Sequence, residues 1–143
     1  MSKGLSPTQR TLRALRQEGY ICGIVERFNA YAGPYGIRQD LFGFLDIVAI
    51  KPIGICGIQS CGSDFASHDR KIKGNEAAPE WLKAGGSIEL WAWRKVKRVH
   101  GGTAMVWKPR VREYTEEDFD VNPQPCNDGK QGVGLAKEED DDE

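Results

Sequence analysis

Phe42-Gly-Phe-Leu-Asp-Ile-Val-Ala-Ile50, Lys51-Pro-Ile-Gly54 and Ile55-Cys-Gly-Ile-Gln-Ser-Cys61 read in succession as strand, turn and strand. The first segment is almost continuously apolar, which predicts a strand buried on both faces, and the two together make a hairpin. Within these apolar runs two polar residues stand out. Asp46 sits among Phe44, Leu45, Ile47 and Val48, and Gln59 follows across the turn in Gly-Ile-Gln-Ser-Cys. A carboxylate buried there is costly unless it is paired, hydrogen-bonded or bound to a cation. Two oxygen-bearing side chains on neighbouring strands can converge on one hard cation, and Mg²⁺ takes one or two such ligands while keeping several waters. An internal hydrogen-bonded pair without metal is the plainer alternative.

Outward from the hairpin the elements alternate. Ser6-Pro7-Thr8-Gln9 opens a helix, with Ser6 as cap, Pro7 in the first turn and Gln9 completing a capping box; Gly19 suits the left-handed position after its last turn. On that helix Thr8, Leu12 and Leu15 share one face, and Arg10, Arg13 and Arg16 form a stripe opposite. Tyr20–Phe28 reads as a strand and Asn29–Gln39 as a loop. Asp64–Lys73 fits a helix, and Pro79–Ala84 a second short one before Gly85-Gly86. Ser87–Arg94 alternates, with Ile88, Leu90 and Ala92 opposite Glu89, Trp91 and Trp93, the pattern of a half-covered strand. Met105–Tyr114 reads as a last strand, and Pro109 marks it as an edge. The expectation is an α/β domain over residues 1–119, with a mixed sheet of four to five strands flanked by helices.

Residues 120–143 are rich in Pro, Gly and Asp and predict an acidic, disordered tail. The formal net charge of −1 conceals an asymmetry: residues 1–119 carry 18 Lys+Arg against 13 Asp+Glu, and the tail carries 2 against 8. A basic body attracts phosphate backbones. No apolar run approaches the roughly 18 residues that span a bilayer, and Met1-Ser-Lys-Gly-Leu-Ser-Pro lacks a secretory stretch, so the chain reads as cytoplasmic, with no membrane partner. Cys22, Cys56, Cys61 and Cys126 form no C-x-x-C pair, and His68 and His100 are the two histidines; reduced thiols are expected, with a zinc site the alternative.

Leu45-Asp46-Ile-Val-Ala followed by Ile58-Gln59-Ser60-Cys61 resembles the D…(D/E/Q)-x-K signature of PD-(D/E)XK nucleases. The element order is similar to that of archaeal-type Holliday-junction resolvases and related phage and restriction nucleases. Asp40-Leu-Phe-Gly-Phe-Leu-Asp46, Arg70-Lys71-Ile72 and Trp81-Leu-x-Ala-Gly-Gly-x-Ile-Glu-Leu-Trp-x-Trp-Arg94 carry the likeness further, over about residues 8 to 114. The resemblance implies a restriction-endonuclease-like core and a nuclease dependent on Mg²⁺ or Mn²⁺ that hydrolyses DNA, with branched or structured DNA as substrate, a homodimer as assembly and a host-cell cytoplasm as location if phage-encoded. It implies Asp46 and Gln59 as metal ligands, helped by the Ser60 carbonyl and by Asp40 at the strand's entrance. Cys61 stands at the lysine position, where a neutral thiol supplies no ammonium charge. Lys71, or else Lys73, on the following helix is the candidate replacement. Glu18 falls where the family's helical glutamate would be sought, and Leu45 replaces the signature proline. A catalytically inactive nuclease-fold protein that binds nucleic acid or a protein is the alternative function.

Arg10, Arg13, Arg16, Arg38, Arg70, Lys73 and Arg94 are the candidate nucleic-acid contacts. Trp91, Trp93 and Trp107 are read first as core or interface residues and second as base-stacking platforms. Arg94, Lys95, Lys97, Arg98 and His100 precede Gly101-Gly102 as a candidate backbone-clamping loop.

Overall fold

The N-terminal helix begins where its capping signals place it. In the computed structural model, which describes residues 4–119, Ser6 accepts from the Gln9 amide at 3.2 Å and the Gln9 side chain accepts from the Ser6 amide at 3.0 Å. Helix α1 then runs Pro7–Gln17 and ends before Gly19, whose φ of 92° lies in the left-handed region. Leu12 and Leu15 are buried as expected, and Thr11 joins them.

The segment expected as one strand, Tyr20–Phe28, is two: β1 (Ile21–Ile24) and β2 (Arg27–Asn29). Between them the Val25 and Glu26 amides both turn onto the Asp46 carbonyl, at 2.8 and 3.3 Å, which breaks the strand. The expected loop contains β3 (Ile37–Gln39), which pairs with β2 in a separate two-stranded sheet. The hairpin's first strand also starts later than expected, at β4 (Ile47–Lys51). Residues 40–46 instead fold into a tight turn in which Leu41 and Leu45 exchange backbone hydrogen bonds, with Phe42 at φ 57° and Gly43 at φ 83°. Nor is β4 buried on both faces throughout: Ile47 and Ala49 are buried under α1, but on the opposite face Val48 is half-buried and Ile50 exposed.

Strand β5 (Gly54–Cys61) completes the hairpin, and helices α2 (Phe65–Lys73) and α3 (Ala77–Lys83) lead across to β6 (Ser87–Lys97). Strand β7 (Met105–Tyr114) follows at the edge, and a 3-10 turn covers Glu116–Phe119. The five-stranded sheet has the order β1-β4-β5-β6-β7 and is mixed, with β5 and β6 parallel and the other pairs antiparallel. Pro109 lies in the edge strand, where its missing N–H leaves no inner ladder bond unmade.

Helices cover both faces. Leu12 and Leu15 of α1 pack on Ile47, Ala49, Cys56, Ile58, Trp91 and Trp93. Ile72 of α2 and Ala78 of α3 pack on Phe44, Leu45, Cys61, Ile88, Leu90 and Ala92. Strand β6 is therefore buried on both sides up to Trp93, and not half-covered: the α1 side accepts Glu89 because Lys51 bridges it at 2.8 Å and the Trp91 indole donates to it at 2.9 Å. The Trp93 indole donates to Thr11 at 2.8 Å, so both tryptophans belong to the core under α1. The four-residue acid–base group Asp69, Arg112, Tyr114 and Asp118 pins α2 to β7, with Arg112 reaching Asp69 at 2.6 Å and Asp118 at 2.7 Å.

No helix among the described residues is long and apolar enough to cross a membrane. The acidic stretch 120–143 lies outside the described residues.

Gly57 is the tightest backbone approach in the hairpin, since a Cβ there would drive into Leu45 and press on the Trp81 ring. Gly57→Ala should destabilise the protein by about 1–3 kcal/mol, the range for overpacking a filled core. Urea unfolding monitored by tryptophan fluorescence checks this; an unchanged midpoint would mean that the α3 layer yields freely.

Candidate functional site

Three elements deliver the polar groups to one place because their ends coincide. Strand β4 begins where its antiparallel neighbour β5 ends, and β1 ends beside them, so Asp46, Gln59, Ser60 and Glu26 gather at one end of the sheet. The N-terminus of α1 lies over the same end, with the Thr8 hydroxyl 2.8 Å from that of Ser60. Together they line a cleft of about 910 Å³ that also takes in Arg38, Asp40, His68 and Lys71.

Asp46 is 3% exposed, Gln59 2% and Ser60 7%. One Asp46 oxygen, Oδ2, accepts from Gln59 Nε2 at 2.5 Å, from the Ser60 amide at 2.9 Å and from the Ser60 hydroxyl at 3.2 Å. The same Gln59 Nε2 lies 3.4 Å from Asp40 Oδ2. Lys71 reaches that Asp40 oxygen from α2, with Nζ at 2.6 Å. Burial first, and then the neighbouring Asp40 carboxylate, push the Asp46 carboxyl up to about 8, against the pull of the Ser60 and Gln59 donors. Asp40 goes the other way. Burial raises it, but its hydrogen bond with Asp46 and the Lys71 ammonium outweigh that and hold it below the usual carboxylate range. The two acids thus behave as a like-charge pair of which one member keeps its proton.

The sequence-expected residues divide into groups. Asp40, Asp46, Gln59, Ser60, Lys71 and Arg38 meet in the cleft, while Arg13, Arg16, Arg70 and Lys73 lie outside its lining. Lys73 is engaged with Asp69 at 3.4 Å, which leaves Lys71 as the lysine that faces the acids. Arg94 lies on β6 just beyond the end of β5 and outside the cleft lining, and Arg10 folds over Trp107 with its guanidinium 4.0 Å from the ring centroid. Glu18, at the C-cap of α1, is exposed and at the opposite end of the helix from the cleft. Cys61, at the signature lysine position, turns into the core, where burial, followed by the charges of Asp64 and Asp46, raises its thiol to about 11.

Sequence reasoning missed Glu26. Its side chain is 13% exposed, it is held by Arg38 at 2.6 Å, and one of its oxygens lies within 4.8 Å of oxygens of Asp40 and Asp46. The available signal was a carboxylate directly after the apolar Ile24-Val25, the same anomaly that singles out Asp46.

The donor set fits a hard divalent cation. Gln59 Oε1 is buried and has no hydrogen-bond partner among the described residues, an unusual state for an amide oxygen. Rotation of the amide about its last torsion exchanges its nitrogen and oxygen, which would turn that orphaned oxygen toward the carboxylates of Asp46 and Asp40. Carboxylate and amide oxygens with room for water suit Mg²⁺ or Mn²⁺.

Protonation of Asp46 has a measurable consequence. Its folded-state value of about 8 is raised above the ordinary 3.8, so the stability it contributes is complete below the unfolded value and is lost as pH rises through 8. Asp46→Asn, neutral at every pH, should therefore gain in melting temperature over the wild type as pH rises from 5 to 9 in EDTA. A difference that does not change with pH would show that Asp46 is ionised throughout.

No family model, no curated protein and no solved structure matches this chain, so its chemistry has to be read from the cleft itself.

Proposed function

We propose that the chain is a metal-dependent endonuclease with a restriction-endonuclease-like core of the PD-(D/E)XK type, hydrolysing DNA phosphodiester bonds. The observation that carries this reading is the convergence of Asp46, Asp40 and the orphaned Gln59 oxygen in a cleft that also receives the Lys71 ammonium. Asp46 and Gln59 would hold the cation, with Asp40, Glu26 and the Ser60 carbonyl as further oxygen donors. A divalent ion bound there supplies charge neutralisation at the scissile phosphate and acidifies a water.

The chain's own groups do the rest. Lys71, which holds Asp40 at 2.6 Å, would be the group to orient the attacking water or a phosphate oxygen, the role that Cys61 cannot fill with a neutral thiol. The first turn of α1, with Ser6, Pro7 and Thr8 in the cleft wall, directs the positive end of the helix dipole toward a bound phosphate, although the Ser6 and Gln9 amides are already taken up by the capping box and Pro7 has no N–H. Branched DNA cut by a homodimer is the substrate and assembly that the resolvase likeness favours.

The second reading is a nuclease-fold protein that binds nucleic acid without cutting it. Cys61, buried in the core in place of the signature lysine, is the observation in its favour.

Labelled duplex, single-stranded and four-way-junction DNA, incubated with Mg²⁺ or Mn²⁺, should be cut by the wild type and left intact in EDTA or by Asp46→Asn. Equal cutting by Asp46→Asn would remove the assigned site, and binding without cutting in either metal would establish the second reading. Lys71→Ala should slow cleavage by about 100-fold, the loss seen when one charge-stabilising donor is removed, with partial return in Lys71→Arg. Independently of activity, Mg²⁺ or Mn²⁺ at pH 8 should raise the melting temperature of the wild type and not that of Asp46→Asn, because a ligand stabilises the state that binds it.

A further inference from the structure

Strand β5 stops pairing with β6 at Cys61 opposite Ala92. Strands β6 and β7 continue together, from Trp93 opposite Pro109 to Lys97 opposite Met105. They form a two-stranded ribbon, closed by the 98–104 loop, that extends beyond the five-stranded sheet. At the usual strand rise its paired length is about 17 Å. Because β5 and β6 are parallel, the ribbon leaves from the end of the sheet where Gln59 and Ser60 line the cleft.

From Trp93 to Pro109 the chain carries Arg94, Lys95, Lys97, Arg98 and Lys108 and no carboxylate. Among the described residues none of these cations is in an ion pair. Partners directly opposite share a face, so the cations divide between the two sides. Lys95 and Lys97 lie on the α1 side with Trp107 and Met105, and Arg94 lies opposite Lys108 on the other. Like charges directly opposite each other destabilise a strand pair. The α1 side repeats the crowding: Arg10 and Lys95 approach the same Trp107 ring, at 4.0 and 5.5 Å from its centroid. Both faces thus concentrate positive charge that the described part of the fold does not neutralise.

A membrane surface or an acidic protein face would meet one side of such a ribbon. The major groove of duplex DNA, about 12 Å wide, admits a two-stranded ribbon and flanks it with phosphates on both walls. We propose that the β6–β7 ribbon is a docking arm that enters the major groove of duplex DNA, with Arg10, Lys95 and Lys97 toward one phosphate wall and Arg94 and Lys108 toward the other. This rests on the reading of the chain as a protein that acts on DNA. Contacts of this kind fix affinity and orientation and carry little sequence preference.

Binding of the full chain to a labelled DNA duplex, followed by fluorescence anisotropy in EDTA across a salt series, tests the arm. The two variants are Lys95→Gln/Lys97→Gln and Arg94→Gln/Lys108→Gln. Each should weaken binding at least tenfold at low salt and flatten the plot of log affinity against log salt by about 1.8, two phosphate contacts' worth. Their melting temperatures should not fall, since the substituted side chains are exposed. A slope changed by one pair alone would place DNA against a single face and overturn groove insertion; a slope changed by neither would remove the arm. Duplex RNA, whose major groove is too narrow and deep to enter, should bind more weakly, and equal, equally sensitive RNA binding would also overturn the proposal. Cleavage separates the two readings. Ribbon-dependent binding with no cutting in Mg²⁺ or Mn²⁺ removes the nuclease and keeps the arm, whereas normal cutting and binding by both variants keeps the nuclease and removes the arm.

Discussion

A carboxyl group held at 3% exposure at the entrance of an apolar strand is the constraint on which the rest of this molecule turns. Asp46 is fixed through its backbone as much as through its side chain. Its amide donates to Ile58 of β5, and its carbonyl accepts from Val25 and Glu26 at the end of β1. The residue that needs stabilising is therefore also the residue that knits β1, β4 and β5 at their common end. Its side chain is then met by donors from the next strand, Gln59 and Ser60, and by a second acid from the turn that precedes it. Remove that turn and Asp40 would not face Asp46; remove the break after β1 and Glu26 would continue along a strand, away from the cleft.

The parts of this arrangement that could be read in the sequence are those where a polar residue contradicts its apolar neighbourhood. Asp46 and Gln59 announce themselves in this way, and the hairpin between them, the capped first helix and the proline-bearing edge strand follow from local patterns that the tertiary structure leaves in force. What stayed hidden depends on pairing between distant residues. The β2–β3 hairpin consists of three-residue strands with largely exposed side chains, too short for any periodicity to show. Strand β6 alternates Glu and Trp with aliphatic residues, which looks like a wet face. That face is dry because Lys51 and Thr11, from other elements, satisfy its polar atoms. Glu26 lies at the break between β1 and β2, in a segment whose sequence pattern predicts one unbroken strand, and its place in the cleft is decided by where the chain bends.

The site's cation comes from a helix for a physical reason. At position 61 a side chain on β5 enters the core beside Phe44, Leu45 and Leu90, where an ammonium would lose its hydration without a compensating partner. From α2 the Lys71 stem can run along the protein surface and present its head to Asp40 while remaining 41% exposed. The clamp of Asp69, Arg112, Tyr114 and Asp118 fixes α2 against β7 two residues earlier in the helix, which sets the direction from which Lys71 approaches.

Among the side-chain hydrogen bonds that tie helix α1 to the sheet, two lie about one turn apart: Thr8 to Ser60 on the cleft floor, and Thr11 to Trp93 at the root of the ribbon. Three residues of α-helix rise about 4.5 Å, a length that does not stretch without breaking backbone hydrogen bonds. The helix is thus a strut between the two regions. Any load that tilts the ribbon is carried through Trp93 and Thr11 into the same helical turn that holds Ser60, so the floor of the cleft and the arm above it move as one lever and not as independent parts.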